Sequence, residues 1–103
     1  METAVGGQSL YARLVRFTFG PGARAKAQAL ADDLAPQIES LDGCSGVTVF
    51  GDETDGEYEM FVLWDSQAAA DTAAGVIGPR LSKHLAGATL GAPDIRLFEV
   101  LSG

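Results

Sequence analysis

The sequence predicts an α+β domain with element order β-α-β-β-α-β. This is the ferredoxin-like plan, a four-stranded antiparallel sheet with two helices on one face. Three observations predict it. The run Glu57-Tyr58-Glu59-Met60-Phe61-Val62-Leu63-Trp64 has the make-up of a strand and passes at Asp65-Ser66 straight into the alanine-rich Gln67-Ala68-Ala69-Ala70. Ala27, Leu30, Ala31, Leu34, Ile38 and Leu41 recur at the spacing of one helical face. Gly20-Pro21-Gly22, Gly78-Pro79 and Gly87–Pro93 punctuate the periodic stretches between them.

Taken in order, Leu10–Phe19 is the first strand. Tyr11, Val15, Phe17 and Phe19 share a face with Arg13, while Leu10, Ala12 and Leu14 share the other with Arg16 and Thr18. Ala23–Leu41 is a helix whose polar residues Lys26, Asp32, Asp33, Gln37 and Glu39 lie off the apolar stripe. Pro36 is expected to kink or restart it, because proline lacks an amide and clashes with the turn before. Gly43, after Asp42, is expected to close the helix as a left-handed cap. Val47–Phe50 is a short second strand, and residues 51–56 form an acidic hairpin loop. Tyr58–Trp64 is the third strand. Asp65 or Ser66 caps the helix that follows, from Ser66 to about Val76. Gly78-Pro79 is expected to break that helix, with Pro79–Leu85 as a second segment, since proline suits a first turn. Ile95–Leu101 is the last strand. Residues 1–9 are small or polar and are expected to be flexible; residues 10–103 form a single domain.

The strands carry apolar residues on both faces. Tyr58, Met60, Val62 and Trp64 oppose Glu59, Phe61 and Leu63 on the third, for example. Helices cover only one face of this plan. The second face is therefore expected to pair with a second copy, forming a dimeric α+β barrel.

Composition narrows the function. The chain has 103 residues, 47% of them hydrophobic, so it holds one small core. Fourteen acidic residues against seven Lys and Arg give a formal charge of −7, which disfavours nucleic acid and anionic membrane surfaces as partners. Phe61-Val62-x-Trp64 echoes the tail of an RNA-recognition motif, but no basic residue with glycine and aromatic precedes it and the adjacent loop is acidic. Cys44 is the single cysteine, so no internal disulfide forms. No apolar run is long enough to span a bilayer, and Met1–Ser9 lacks the pattern of a signal peptide, so a cytoplasmic location is expected.

Gly43-Cys44-Ser45-Gly46 before the second strand and Phe61-Val62-Leu63-Trp64-Asp65-Ser66-x-x-Ala69-Ala70 across the third strand and second helix resemble the antibiotic biosynthesis monooxygenase family of dimeric α+β-barrel proteins. The resemblance extends as topology from Leu10 to Val100. It implies a homodimer. It also implies, as in some members, oxidation of a phenolic, polyketide-like compound by dioxygen without a cofactor. The haem-degrading branch carries an asparagine on strand one, a tryptophan within helix two and a histidine later in that helix. This chain has no asparagine; Val15 and Ala73 stand near the first two positions and only His84 falls near the third. Haem degradation is thereby disfavoured.

Candidate site residues follow, each with a plainer alternative. Trp64 walls a ligand pocket or anchors packing where strand meets helix. His84 serves as a base toward a phenol or an axial ligand, or sits with Arg80 at a solvated basic helix end. Of Arg13 and Arg16, one faces the helices and the other the dimer side. Either orients an anionic ligand or pairs with Glu59 or Glu99. Tyr58, Val15, Ala73 and Ile77 complete the expected pocket wall, and the small side chains Ala68–Ala74 leave space between helix and sheet for an apolar ligand. A lone histidine makes no zinc site, and the acidic loop lacks calcium-ligand spacing. Two functions stay open: a cofactor-independent monooxygenase acting on a small electron-rich aromatic compound, or a non-catalytic dimeric ligand binder of the same family.

Overall fold

A computed structural model describes residues 9–102 of the chain. Its elements are β1 (Tyr11–Thr18), α1 (Arg24–Glu39), β2 (Cys44–Asp52), β3 (Glu57–Trp64), α2 (Gln67–Leu85) and β4 (Asp94–Glu99). The strands form one antiparallel sheet in the order β2-β3-β1-β4, which puts the two crossover connections through α1 and α2. The flexibility expected of residues 1–9 falls outside the described residues except at Ser9, whose hydroxyl donates to Glu99 Oε2 at 2.8 Å.

Alternation along the strands sorts side chains as the sequence implies. Val15, Phe17, Tyr58, Met60, Val62 and Trp64 are all buried on the helix side, together with Leu30, Leu34 and Ile38 of α1 and Ala70, Ala73, Ile77, Leu81 and Leu85 of α2. On the opposite face Leu14 stands across from Phe61, and Ala12 lies between Leu63 and Phe98. Phe50 and Phe98 remain 46% and 40% exposed there, so this face presents apolar side chains to the outside. The helices leave the edge strand β4 uncovered: Ile95, on the helix side opposite Val15, is half exposed.

Four local expectations need correction. The second strand is Cys44–Asp52, not Val47–Phe50. Cys44, Ser45 and Gly46 are poor strand formers, but β3 offers pairing along its whole length, from Cys44 opposite Trp64 to Asp52 opposite Glu57, with an irregularity between Cys44 and Gly46 absorbing the misfit. Gly43 is left-handed at φ 87°, yet it is not the cap of α1, which ends at Glu39 with Ser40 as cap. Gly43 instead lets the chain pass close to the start of α2. A Cβ there would meet Ala69 Cβ at 2.5 Å and Asp65 Oδ1 at 2.7 Å. Pro36 does not restart the helix, because it lies in the last turn of a continuous α1. Nor do Gly78 and Pro79 break α2, which runs unbroken from Gln67 to Leu85. Ile77, Leu81 and Leu85 are all buried. Burial is worth about 1.5–3 kcal/mol for each such side chain, enough together to outweigh the roughly 3 kcal/mol cost of an interior proline. Glycine also removes the Cβ that would clash with a following proline ring in a helix.

Candidate functional site

Ser66 fixes the start of α2: its Oγ accepts from Ala69 N at 3.0 Å. That cap sets the helix phase, so Ala70, Ala73, Ile77 and Leu81 face the sheet. Alanine at 73 and glycine at 78 are too small to fill the gap, and a cavity of about 150 Å³ remains between α2 and the sheet. Trp64, Val62 and Met60 of β3, Val15 of β1, Ile38 of α1, and Ile77 and Leu81 of α2 line it. Ala74 and Ile95, both exposed, flank its mouth. Among the described residues, Arg13 of β1 is the one charged residue in the lining.

Two residues of this lining, Trp64 and Arg13, carry polar groups. Trp64 is only 2% exposed, and its indole Nε1 has no hydrogen-bond partner among the described residues. A buried donor without an acceptor is destabilising by about 1–3 kcal/mol. Arg13 reaches toward the second helix. Its Nη2 lies 3.5 Å from Ala70 O and 3.8 Å from Asp71 Oδ1, contacts long enough to leave most of its five N–H donors free among the described residues. Arg13 stands opposite Val62 in the ladder, which makes Trp64 its diagonal neighbour on the same face. Diagonal side chains of this length reach one another across about 7–8 Å.

Other expected site residues lie elsewhere. Arg16 is on the opposite face, where its Nε is 3.7 Å from Glu59 Oε2, the cross-strand pairing the sequence allowed. Tyr58 is buried on the helix side but outside the cavity, packed against Phe17 and Phe19 at ring separations of 6.1 and 6.0 Å. Its hydroxyl is also buried without a partner among the described residues. His84 does not line the cavity; it faces α1, with Nε2 2.8 Å from Asp33 Oδ2. Arg80 Nη2 donates to Asp33 Oδ1 at 3.1 Å and Gln37 Nε2 to the same oxygen at 2.9 Å. The hydrogen bond from His84, then that from Arg80, holds the Asp33 carboxyl below the ordinary aspartate range. The cavity thus gathers Arg13, Trp64, Val15, Ala73 and Ile77, and leaves out His84, Arg16 and Tyr58. Sequence reasoning missed Ile38, Met60, Val62, Gly78, Leu81 and Ile95 in the lining, Asp71 as the partner of Arg13, and Asp33 as the partner of His84. The partnerships join residues far apart in the chain, and no local spacing signals them.

The family follows from comparison with known sequences. The family model for antibiotic biosynthesis monooxygenases matches residues 10–75, which span β1 to the middle of α2. The chain belongs to the antibiotic biosynthesis monooxygenase family. No curated protein matches it. Solved structures share the fold of this family member at low identity. One is a candidate antibiotic biosynthesis monooxygenase from Caulobacter crescentus, 19% identical with a TM-score of 0.77 over 92% of each chain. Another is Rv0793 from Mycobacterium tuberculosis, 23% identical, TM-score 0.76, covering 92% of this chain and 98% of that one. A third is a mutant of SnoaB, a cofactor-independent oxygenase from Streptomyces nogalater, 19% identical, TM-score 0.76, covering 91% of this chain and 95% of that one. At these identities the likeness establishes the fold.

Proposed function

We propose that this family member is a cofactor-independent monooxygenase whose substrate, a small electron-rich phenolic compound, occupies the cavity under α2 with its oxygen on Arg13. The observation that carries the reading is Arg13, the one charged residue among the described residues of an otherwise apolar lining. Family membership and the fold shared with SnoaB support it.

The chemistry asks little of the protein. A phenolate gives electrons to dioxygen far more readily than its phenol. A charge-assisted hydrogen bond from Arg13 favours the ionised form by about 1.5–3 kcal/mol, or roughly one to two units in the phenol's acidity. Among the described residues no carboxylate, imidazole or thiol lines the cavity, so the phenol proton leaves to water past the exposed Ala74 and Ile95. The substrate then gains one oxygen atom, in a new C–O bond, and loses two hydrogens. Those hydrogens leave with the second oxygen atom as water. All four electrons come from the substrate, and the protein contributes orientation and electrostatics. In this reading Arg16 and His84 act in ion pairs at other surfaces.

We also propose that the open sheet face bearing Leu14, Phe61, Leu63 and Phe98 pairs with a second copy of the chain. A lining without a base among the described residues favours one competing reading, a non-catalytic binder of small aromatic compounds. Oxygen uptake separates the two. Purified protein incubated with a panel of quinols and anthrones should consume one dioxygen per product formed, and Arg13→Gln should slow this about tenfold or more. No uptake with any member of the panel rejects the oxygenase and leaves the binder.

A further inference from the structure

The two halves of α2 are anchored to different parts of the fold, and the joint between them borders the cavity. We infer that residues 79–86 form a hinged lid on the cavity, turning at Gly75 to Pro79 and at Gly87, and held shut by Asp33 of α1. The part this lid plays in ligand exchange rests on the reading that the cavity is the site; the hinge itself does not.

The N-terminal half is tied to the sheet and the turn before it. Ser66 caps it, and Asp65 N donates to Gly43 O at 2.8 Å. Arg13 spans from β1 to this half, with Nη2 3.5 Å from Ala70 O and 3.8 Å from Asp71 Oδ1. The C-terminal half is tied to α1 instead. Arg80 and His84 both bond to Asp33, which takes every side-chain hydrogen bond that residues 79–85 make to another element, among the described residues. The joint between the halves is weak. Pro79 has no amide hydrogen, so Gly75 O lacks its helical donor. Gly75 and Gly78 are poor helix formers, and no atom of another element lies within 4 Å of a Cβ built on either. Helices bend at such interruptions of the ladder. At the far end Gly87 is left-handed at φ 68° and equally unencumbered. Three residues on, Leu90 N donates to Thr18 O at 2.7 Å and returns the chain to the sheet.

The segment between these joints carries Leu81, which lines the cavity, and Leu85, which is buried beyond it. Swinging it outward withdraws Leu81 and widens the space beside Gly78. The lost apolar contacts favour the closed form. A ligand that fills the cavity must pass between α2 and the sheet. Arg13 bridges the N-terminal half to β1 there, so the C-terminal half is the part that yields. Segments that open for binding are drawn from the less protected parts of a fold.

Amide hydrogen exchange of the intact protein tests the hinge without any ligand. Amides of residues 80–86 should share one opening equilibrium and exchange about tenfold or more faster than those of residues 71–78, with the step at Pro79. Fraying from the helix end would instead grade smoothly toward Ala86. Asp33→Ala removes the latch. It should speed exchange of residues 80–86 about three- to tenfold and leave residues 71–78 within about twofold. Stopped-flow mixing with 4-nitrophenol under nitrogen reads the lid. Asp33→Ala should raise the association and dissociation rates by the same factor and leave Kd unchanged. A graded exchange profile in the unsubstituted protein overturns the hinge, whether or not Asp33→Ala folds. So does an Asp33→Ala protein in which both halves of α2 exchange faster by the same factor. Equal 4-nitrophenol rates in the two proteins overturn the lid. The proposed function fails separately: if 4-nitrophenol does not bind, the cavity is not a phenol site, while a step at Pro79 keeps the hinge. Binding through the lid without oxygen uptake removes only the oxygenase.

Discussion

Asp33 of α1 and His84 of α2 meet at 2.8 Å although 51 residues of chain separate them. A carboxylate only accepts, so His84 Nε2 carries the hydrogen. With Arg80 and Gln37 on its other oxygen, Asp33 ties the two helices together along the side away from the sheet. Its carboxyl is held below the ordinary value of 3.8, chiefly by the His84 hydrogen bond and then by that of Arg80. A depressed acid contributes stability that is present above its unfolded value and lost as pH falls through its lower folded value. Thermal unfolding of the wild type should therefore decline more steeply than that of Asp33→Asn as pH is lowered from about 4. Parallel curves for the two proteins down to about pH 2 would rule out the linkage.

That contact shows where sequence reading stops. His84 is conspicuous as the only histidine, and its place near the end of a helix is legible. What it touches is decided by how α1 packs against α2, and Asp33 reads in isolation as one more solvated helix residue. The fold itself is legible because it rests on repeating features: period-two alternation in Tyr58–Trp64 and period-3.6 spacing from Ala27 to Ile38. Trp64, Val15, Ala73 and Ile77 were reachable as lining residues because face and layer follow from those periods. Arg13 and Arg16 could be assigned to opposite faces, but not to a particular face. The pairing of Arg13 with Asp71 and of Arg16 with Glu59 follows from tertiary register. Gly78-Pro79 misled because local rules treat the pair as a break. Three buried residues four apart hold α2 through it.

Gly43 should be intolerant of any side chain. Its φ of 87° disfavours L-residues, and an added Cβ would press on Ala69 and Asp65 at the start of α2. Asp65 N also donates to Gly43 O at 2.8 Å, so the chain cannot simply swing away. Gly43→Ala is expected to cost about 1–3 kcal/mol in urea unfolding. A loss under a few tenths of a kcal/mol would mean that the turn relaxes freely.

Gly75 and Gly78 should respond in different ways to the same change. Both lie inside α2, and no atom beyond their own surroundings in the helix stands within 4 Å of a Cβ built on either. Gly75→Ala should stabilise by about 0.5–1 kcal/mol, because glycine loses more backbone freedom than alanine on folding. Gly78→Ala gains the same entropy but places a Cβ against the ring of Pro79. It should therefore stabilise by less than Gly75→Ala, or destabilise. Equal gains from the two variants would show that Gly78 has no part in letting the helix pass through Pro79.

The open face of the sheet yields the last prediction. Leu14 and Phe61 stand directly opposite each other at its centre, with Leu63, Ala12 and Phe98 beside them. Arg96 lies over the Phe98 ring at 4.9 Å, and the Arg16 and Glu59 pair borders the patch toward the other end of the strands. A patch with an apolar centre and charged borders is built for contact with another surface. A copy of itself would bury the centre while the charges stay at the rim. The protein should sediment at twice the mass of one chain at micromolar concentration. Leu14→Glu puts a carboxylate into the patch directly opposite Arg96, and pairing would strip water from both groups at an apolar contact. That variant should sediment as a single chain while keeping the circular dichroism of the parent, since Leu14 lies outside the helix-side core. A wild type that is already a single chain would remove the dimer. If the variant stayed dimeric, the copies would have to meet through another face.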